Sequence, residues 1–393
     1  MSLWACALAA GCILLVCWDL VVVVAAALRV RLPKTPPSVE TGPPVVVLVP
    51  CKGDGADARA FFQHLMAQRY RPFRVILAVE SAADAALTFL RLPGMAERTE
   101  VAVAELAQNC SQKVANLRAG LARVRADDAI LVQADADHLP PPDWLGQLVQ
   151  PLLAGGADVV SGYRLMIPDP PGLGSCVTAA LDNGIATALR PVMHRLCWGG
   201  CIAARRETWE RVRYREELEG SLNDDIMVSA LFSKARLRVA MPRHMLLPVS
   251  AGHSVQQLLN FVPRQYMQVR WYAPFFRWFA HLLLPLPPLA WGAAIIAAIT
   301  GYDWGLAALG FGYAAALAKA LLRRSLVRKL AGPAVLPRWR CVFWLTFLAA
   351  PALAFLHYGL GRLGLVKREV VWAGTRYRID APKQVTVVER LAA

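Results

Sequence analysis

Residues 129–144, AILVQADADHLPPPDW, contain the pattern of a buried strand that leads directly into acidic residues. The apolar run 130–132 is typical of a strand covered on both faces, and Asp135 and Asp137 follow it before a proline-rich turn. Ligands of parallel sheets bind outside the carboxyl ends of the strands. The stretch therefore predicts a strand that carries two carboxylates into a ligand site.

Strand-like runs of the same kind recur along the first half of the chain and alternate with helical stretches. The first is VVVLVP at 45–50, a continuous β-branched run. This alternation predicts an α/β domain with a mostly parallel sheet and helices on both faces. The other strand-like runs are 73–80, 99–104, 129–133 and 157–161, and the helical stretches are 56–69, 82–91, 112–125 and 143–154.

The composition and an apolar N-terminus indicate a membrane protein with one soluble domain. The 393 residues are 56% hydrophobic with a net charge of +15, which excludes an ordinary soluble protein and a disordered one. Residues 3–28 carry a single charge, Asp19, are long enough to cross a bilayer, and are followed by no cleavage site. Because Arg29, Arg31 and Lys34 follow, we expect the soluble domain on the cytoplasmic side.

The excess of basic residues is concentrated beside the apolar segments. Examples are KALLRRSLVRKL at 319–330 and VKREVVWAGTRYRID at 366–380. Clusters in this position are typical of contact with anionic lipid headgroups, so we predict the bilayer as a partner and no nucleic acid.

The nine cysteines give no sign of a metal site or of a disulfide framework. No pair has the CxxC spacing typical of zinc ligands, and a cytosolic domain is kept in a reducing compartment. We therefore expect free thiols.

The C-terminal part contains further apolar segments. Segments 277–300 and 303–321 can each span a bilayer, which places the basic loop 322–340 inside. Segment 341–360 is interrupted by Pro351, and a crossing there would put a basic tail outside, so we expect a re-entrant or interfacial segment. The predicted parts are an anchor (1–28), a proline-rich linker (29–44), the α/β domain (45–254), interfacial helices (255–276), membrane segments (277–361) and a cytosolic tail (362–393).

Two acidic pairs are the main candidates for chemistry. Asp135 and Asp137 are either a solvated turn or two hard oxygen ligands that hold Mg²⁺ or Mn²⁺ against a diphosphate. Asp224 and Asp225 begin a helix, where acids are favoured by the helix dipole. In a cleft, such a carboxylate can instead act as a general base for a hydroxyl.

Other candidates each have a structural and a functional interpretation. Lys113, on the first turn of a helix, is either solvated or a ligand contact. Gly199 and Gly200 mark either a strand bend or a close approach of backbone to a ligand. The stretch 263–279 interleaves cations with aromatic residues, which is typical of an interfacial belt.

The order of the motifs along the chain is more specific than any one of them. From about residue 45 to 275 the order resembles that of the ceramide glucosyltransferase family of membrane glycosyltransferases, and the tail VVWAGTRYRI also resembles the ending of that family. In chain order the motifs are KG, VESAADAA, QKVANL, DAD, GG, NDDIMVSAL and RW.

The resemblance implies a GT-A, Rossmann-like fold and an inverting transfer of a sugar, from UDP-glucose or a similar donor, to a lipid hydroxyl. By position, Asp84 matches the aspartate near the nucleotide, and Asp225 matches the catalytic base. Arg270 and Trp271 match the end of the (Q/R)xxRW motif, which implies catalytic roles for both residues, and Arg270 would stabilise the leaving UDP. Asp135 and Asp137 match the metal motif, for Mg²⁺ or Mn²⁺, and the predicted substrate-binding residues are Asp84, Lys113, Asp135, Gly199, Gly200 and Asp224.

The sequence also departs from the family pattern and leaves the acceptor open. Met267 occupies the first position of the (Q/R)xxRW motif, with Arg264 and Gln268 nearby, and the acidic cluster ESAAD leaves a choice between Glu80 and Asp84. The acceptor can be ceramide, a hopanoid, diacylglycerol or polyprenyl phosphate. The alternatives are a processive polysaccharide synthase and a catalytically inactive lipid- or nucleotide-binding membrane protein.

Overall fold

The computed structural model describes residues 2–31, 38–187 and 196–391. Lys34, one of the cations expected to orient the anchor, lies outside these residues. The strands of the α/β domain are β1 (Thr41–Pro50), β2 (Arg71–Val79), β3 (Thr99–Val103), β4 (Ile130–Ala134), β5 (Val159–Ser161), β6 (Tyr163–Ile167), β7 (Cys201–Arg205), β8 (Val239–Ala240) and β9 (Leu246–Ser250).

Seven of these strands form one mixed, mostly parallel sheet in the order β3-β2-β1-β4-β7-β5-β8. Within it, β7 runs antiparallel to its neighbours β4 and β5, and the other pairings are parallel. Strands β6 and β9 pair in parallel in a small second sheet. The predicted fold class is confirmed.

Helices cover both faces of the large sheet. Since successive residues of a strand point to opposite sides, each strand contributes to the cores on both faces. Val45, Val47 and Val49 pack into a core with one set of helices, and Val46 and Leu48 pack into a second core with another set. The helices between the first and last strands of the α/β domain are α2 (Ala56–Met66), α3 (Gln112–Leu121), α4 (Trp144–Leu153), α5 (Leu173–Ala186), α6 (Arg206–Arg211), α7 (Tyr214–Glu217) and α8 (Asp225–Lys234), with a 3₁₀ turn at Ala85–Arg91 in the predicted helical stretch 82–91. Of these, α5 packs on β6 and the apolar helices rather than on the large sheet.

The remaining helices form an apolar group beside this domain. Within the described residues, three stretches are long and apolar enough to cross a membrane: Leu3–Val30, Pro274–Ile299 and Asp303–Ala331. Asp19, the single acid of the first stretch, is buried, and its Oδ1 lies 2.7 Å from Lys319 Nζ, which explains how a charge is tolerated there. The helices are α1 (Leu3–Val30), α9 (Val255–Tyr272), α10 (Pro274–Leu283), α11 (Leu286–Ile299), α12 (Asp303–Ala331), α13 (Leu336–Leu348) and α14 (Ala350–Val366).

The expectation of a basic loop at 322–340 is wrong, because α12 continues to Ala331 and α13 starts at Leu336. Leucine, alanine, arginine and lysine dominate this part of α12 and are all strong helix formers. The expected interruption near Pro351 is present: the stretches 333–348 and 350–366 meet at a bend of 92°. The re-entrant course of this segment stays a prediction.

The expectation of free thiols is also wrong at one place. Cys176 of α5 and Cys341 of α13 form a disulfide, with Cα atoms 5.9 Å apart. The two helices share a core cluster, which brings together cysteines that are 165 residues apart in the sequence. An expectation based on the cellular compartment and on local spacing contained no information about that contact.

The predicted tail is a three-stranded antiparallel sheet packed onto the α/β domain. Its strands are β10 (Glu369–Trp372), β11 (Thr375–Ala381) and β12 (Gln384–Arg390). Tyr377 is buried and accepts a hydrogen bond from the Gln112 amide at 3.2 Å. The turn between β10 and β11 has positive φ at Ala373 (49°) and Gly374 (75°), the geometry of a tight hairpin. The tail is thereby part of the domain rather than an appendage.

Candidate active site

A cavity of about 450 Å³ lies at the carboxyl ends of β1 and β4, where the sheet pattern places a ligand site. It brings together five residues that the sequence predicts for the site: Lys113, Asp135, Asp137, Asp224 and Asp225. Other walls come from α9 and from the β10–β11 turn. Its charged or titratable lining residues are Lys52, Lys113, Asp135, Asp137, Arg164, Asp224, Asp225, His253 and Arg264.

Lys113 connects two of the carboxylates. Its Nζ lies 2.8 Å from Asp135 Oδ1 and 3.1 Å from Asp224 Oδ2. Although burial by itself would lower it, the two carboxylates raise the pKa of Lys113 above its ordinary value. Lys113 is therefore positively charged at neutral pH where it lines the cavity.

Asp224 is held by a buried hydrogen-bond chain. Its side chain is 2% exposed, and Oδ2 also accepts a hydrogen bond from Gln133 Nε2 at 2.7 Å. Tyr214 Oη donates in turn to Gln133 Oε1 at 2.8 Å. Burial raises the pKa of Asp224, and Lys113 opposes that shift. Asp224 is fixed in place and is poorly suited to move.

Asp225 is placed differently although it is the next residue. It is the first residue of α8, half-buried, and its Oδ1 accepts a hydrogen bond from the Ile226 amide at 2.7 Å. Its carboxylate lines the cavity without joining the Lys113 chain. Of the two acids, Asp225 is the one available to a ligand.

The two glycines after Trp198 allow close contacts inside the protein. A Cβ on Gly199 would lie 2.3 Å from Asp224 Oδ2, and one on Gly200 would lie 2.4 Å from the Trp198 ring. The close approach at Gly199 is thus to a side chain that lines the cavity. The predicted contact of both glycines with substrate remains a prediction.

Asp84 is not among the described residues that line the cavity, and its predicted contact with the substrate stays a prediction. Its Oδ1 accepts hydrogen bonds from the Gly53 amide at 2.8 Å and from the Ala86 amide at 2.9 Å, so it caps the 3₁₀ turn and fixes the loop after β1. That loop carries Lys52, which lines the cavity and pairs with Glu80 at 3.0 Å. Glu80 and Asp84, the two acids of the ESAAD cluster, therefore both contact the loop after β1.

The Arg270 and Trp271 side chains are not among the residues lining the cavity within the described part of the chain. Arg270 Nη1 donates to the Val366 carbonyl at 2.9 Å, at the end of α14, and its guanidinium lies 4.8 Å from the Trp271 ring centroid. The predicted catalytic roles of both residues stay predictions.

Another arginine of α9 faces the cavity instead. Arg264 lies against the rings of Phe261 (5.4 Å) and Trp372 (4.9 Å), and its Nε is buried with no hydrogen-bond partner among the described residues. Burial, and then the charge of Arg164, lower the pKa of Arg264 to about 10, so it is charged at neutral pH. The spacing could have identified it, because the cavity residues of α9 are 261, 264, 265 and 268, one face of a helix.

The sequence model of Glycosyl transferase family 21 matches residues 3–385, almost the whole chain. The chain belongs to glycosyl transferase family 21. It is therefore a glycosyltransferase, and the cavity with the acidic motifs is the candidate active site of this family 21 enzyme. A search of curated proteins found no match.

A comparison with solved structures found proteins that are similar to this family 21 enzyme. The mannosyltransferase PcManGT from Pyrobaculum calidifontis, in complex with GDP-Man and Mn²⁺, has a TM-score of 0.51 and 19% identity, over 86% of this chain and 99% of that chain. TarS from S. aureus, in complex with UDP-GlcNAc, has a TM-score of 0.39 and 11% identity, over 88% of this chain and 99% of that chain. The similarity to PcManGT supports the GT-A-like fold.

The residues of the family 21 enzyme that fit a divalent metal are Asp135 and Asp137. Both line the cavity, and 55% of the Asp137 side chain is exposed. Within the described residues, no group of three or more His, Cys, Asp or Glu side chains could hold a metal ion. Two carboxylates suffice for Mg²⁺ or Mn²⁺ when substrate phosphates and water supply the other oxygens. The donor set therefore fits a metal that binds together with its substrate.

Proposed function

We propose that this enzyme transfers a hexose, glucose in the first instance, from a UDP-sugar to the hydroxyl of a membrane lipid such as ceramide, with inversion at the sugar C1. The observation that carries the proposal is the position of Asp225, which is half-buried and lines the same cavity as Asp135 and Asp137. The nucleotide sugar and Mn²⁺ named for PcManGT support the class of donor and a metal.

The residues of the cavity divide the chemistry among them. Asp225 takes the proton of the acceptor hydroxyl, and the oxygen attacks C1 from the face opposite the diphosphate. Arg264 and Lys52 supply positive charge toward the departing diphosphate, where charge develops in the transition state. Asp135 and Asp137 would hold Mg²⁺ or Mn²⁺, which when bound neutralises the diphosphate. The Asp224–Lys113 pair fixes the position of Asp135 relative to the start of α8.

The membrane helices support a lipid acceptor and a cytoplasmic active site. α9, which forms one wall of the cavity, leads directly into α10 and the apolar stretch Pro274–Ile299. Arg29 and Arg31 end the first apolar stretch on the side of the α/β domain, which favours the cytoplasm for that domain.

The test is Asp225→Asn in membranes, with release of UDP and formation of glycolipid as readouts. An amide cannot accept the proton, so turnover should fall by several orders of magnitude while the Kd of the donor is unchanged. Asp127→Asn, an exposed acid at the opposite end of β4, is the matched control. Near-parental turnover of Asp225→Asn would remove this residue from the mechanism.

The identity of the acceptor is decided by mass spectrometry of lipids from cells that express the enzyme. Hexosylceramide would support the first choice. A hexosylated hopanoid, diacylglycerol or polyprenyl phosphate would replace the acceptor and keep the reaction.

A further inference from the structure

A second cavity, of about 310 Å³, lies behind the candidate active site among the apolar helices. Its lining comes mainly from α9, α10 and α14, with Trp18 of α1. Among the described residues that line it, none is Asp, Glu, Lys or Arg. The polar atoms of its two most polar rings are paired with each other, because Tyr266 Oη and His357 Nε2 are hydrogen-bonded at 2.8 Å. The wall is therefore suited to hydrocarbon and unsuited to a sugar or an anion.

Among the described residues, the two cavities share one lining residue, Gln265 of α9. Arg264 and Gln268 line only the catalytic cavity, and Tyr266 and Val269 line only the apolar one. α9 thus separates them by the thickness of a single helix, with Gln265 at the border. A lipid whose hydrocarbon chain lies in the apolar cavity can therefore extend its polar end past Gln265 into the catalytic cavity, which Asp225 lines.

We propose that the apolar cavity holds an alkyl chain of the acceptor lipid while the hydroxyl of that lipid extends past Gln265 to Asp225. The proposal rests on the proposed lipid acceptor and adds the site of its chain. A chain that enters from a bilayer leaves one apolar surrounding for another, so the gain comes from packing in the cavity. The cavity should therefore select chains by length and shape.

The test fills the cavity and measures binding apart from catalysis. The probe is hexadecanol with a photoreactive diazirine on its chain, and labelled peptides are identified by mass spectrometry. Ala280→Phe of α10 places a ring in the cavity, and Leu282→Phe, two residues on and 65% exposed, places the same ring outside it. Filled space excludes the chain, so we expect labelling of α9, α10 and α14 to fall at least about tenfold in Ala280→Phe only.

Val269→Phe, which fills the cavity from α9, repeats the test if Ala280→Phe does not fold. Equal labelling of the parent and of a folded, filled variant would overturn the proposal. So would labelling confined to lipid-facing residues such as Phe275 and Trp278.

Glycolipid formation separates this proposal from the proposed function. Cavity labelling in a parent enzyme that glycosylates no lipid would overturn the proposed function and support the apolar site. If the parent is active, Ala280→Phe should lose activity on hexadecyl acceptors and keep it on hexyl acceptors. Equal loss on both acceptors would overturn the assignment of the cavity to the acceptor chain.

Discussion

Gly199→Ala tests how the Asp224–Lys113 pair supports the active site, using the smallest possible change of side chain. The added Cβ would lie 2.3 Å from Asp224 Oδ2, whereas real Cβ contacts are not found below 3.0 Å. The carboxylate or the glycine must therefore move by about 0.7 Å, the difference between these two distances. Asp224 has little room to move, because it is buried against Lys113 and Gln133.

The magnitude follows from the contacts that this movement breaks. Asp224 Oδ2 lies 3.1 Å from Lys113 Nζ and 2.7 Å from Gln133 Nε2. Loss of one hydrogen bond to a charged group costs about 1.5–3 kcal/mol, so we expect the free energy of unfolding to fall by about 2 kcal/mol. Since Lys113 also holds Asp135, the site shifts by a fraction of an ångström, and a misplacement of about 1 Å can cost about a hundredfold in rate. We expect turnover to fall by about ten- to a hundredfold.

The assay measures glycolipid formation and donor binding in detergent or nanodiscs, together with thermal unfolding. Gly172→Ala is the control, because a Cβ there meets nothing within 4 Å. Parental turnover and donor Kd in a folded Gly199→Ala would show that the position of the Asp224–Lys113 pair does not matter for the reaction.

Three further predictions concern the metal, the arginines of α9 and the topology. EDTA should abolish activity and Mg²⁺ or Mn²⁺ should restore it, whereas full activity in chelator would mean that Asp135 and Asp137 work without a metal. Arg264→Lys keeps the charge and loses the guanidinium fork, so kcat should fall at least about tenfold, which is a loss of about 1.4 kcal/mol of transition-state stabilisation. This fall should be larger than that in Arg270→Lys. A larger fall in Arg270→Lys would instead assign the leaving-group role to Arg270. Reporter tags at Gly332 and at the C-terminus should both report cytoplasm, and a C-terminal tag on the far side would show that α13 and α14 together cross the membrane.

The sheet could be predicted from local pattern because its strands are buried on both faces. The run predicted at 129–133 is β4 at Ile130–Ala134, shifted by one residue, and all five residues of β4 are buried. Acidic residues that follow such a strand necessarily lie at its carboxyl end, which is how Asp135 was found. The tail strand β12 was not predicted, because most of its residues are exposed and it is held in place by pairing with β11.

The parts of the site that escaped prediction depend on contacts between distant residues. In the sequence, Gln133 is an ordinary strand residue. Its role depends on hydrogen bonds to Tyr214 and Asp224, which lie 81 and 91 residues further along the chain. Arg264 was noted only as a neighbour of the (Q/R)xxRW motif and not as a site residue, because the motif directed attention to Arg270. The helical period of α9 puts Arg264 on the cavity face with Phe261 and Gln268, and that signal was present in the sequence.

The β10–β11 turn has a consequence for how the enzyme is made. Trp372 and Ala373 form part of the catalytic cavity, yet they follow the last apolar helix in the chain. A ribosome that has just completed α9 has produced the whole of the large sheet and the α9 wall of the cavity, and domains generally fold in the order of synthesis. At that moment one wall of the cavity does not exist. It is added only after the apolar helices have been translated and the tail has returned to the domain, so a nascent or truncated chain that is not yet integrated in its membrane has an incomplete active site.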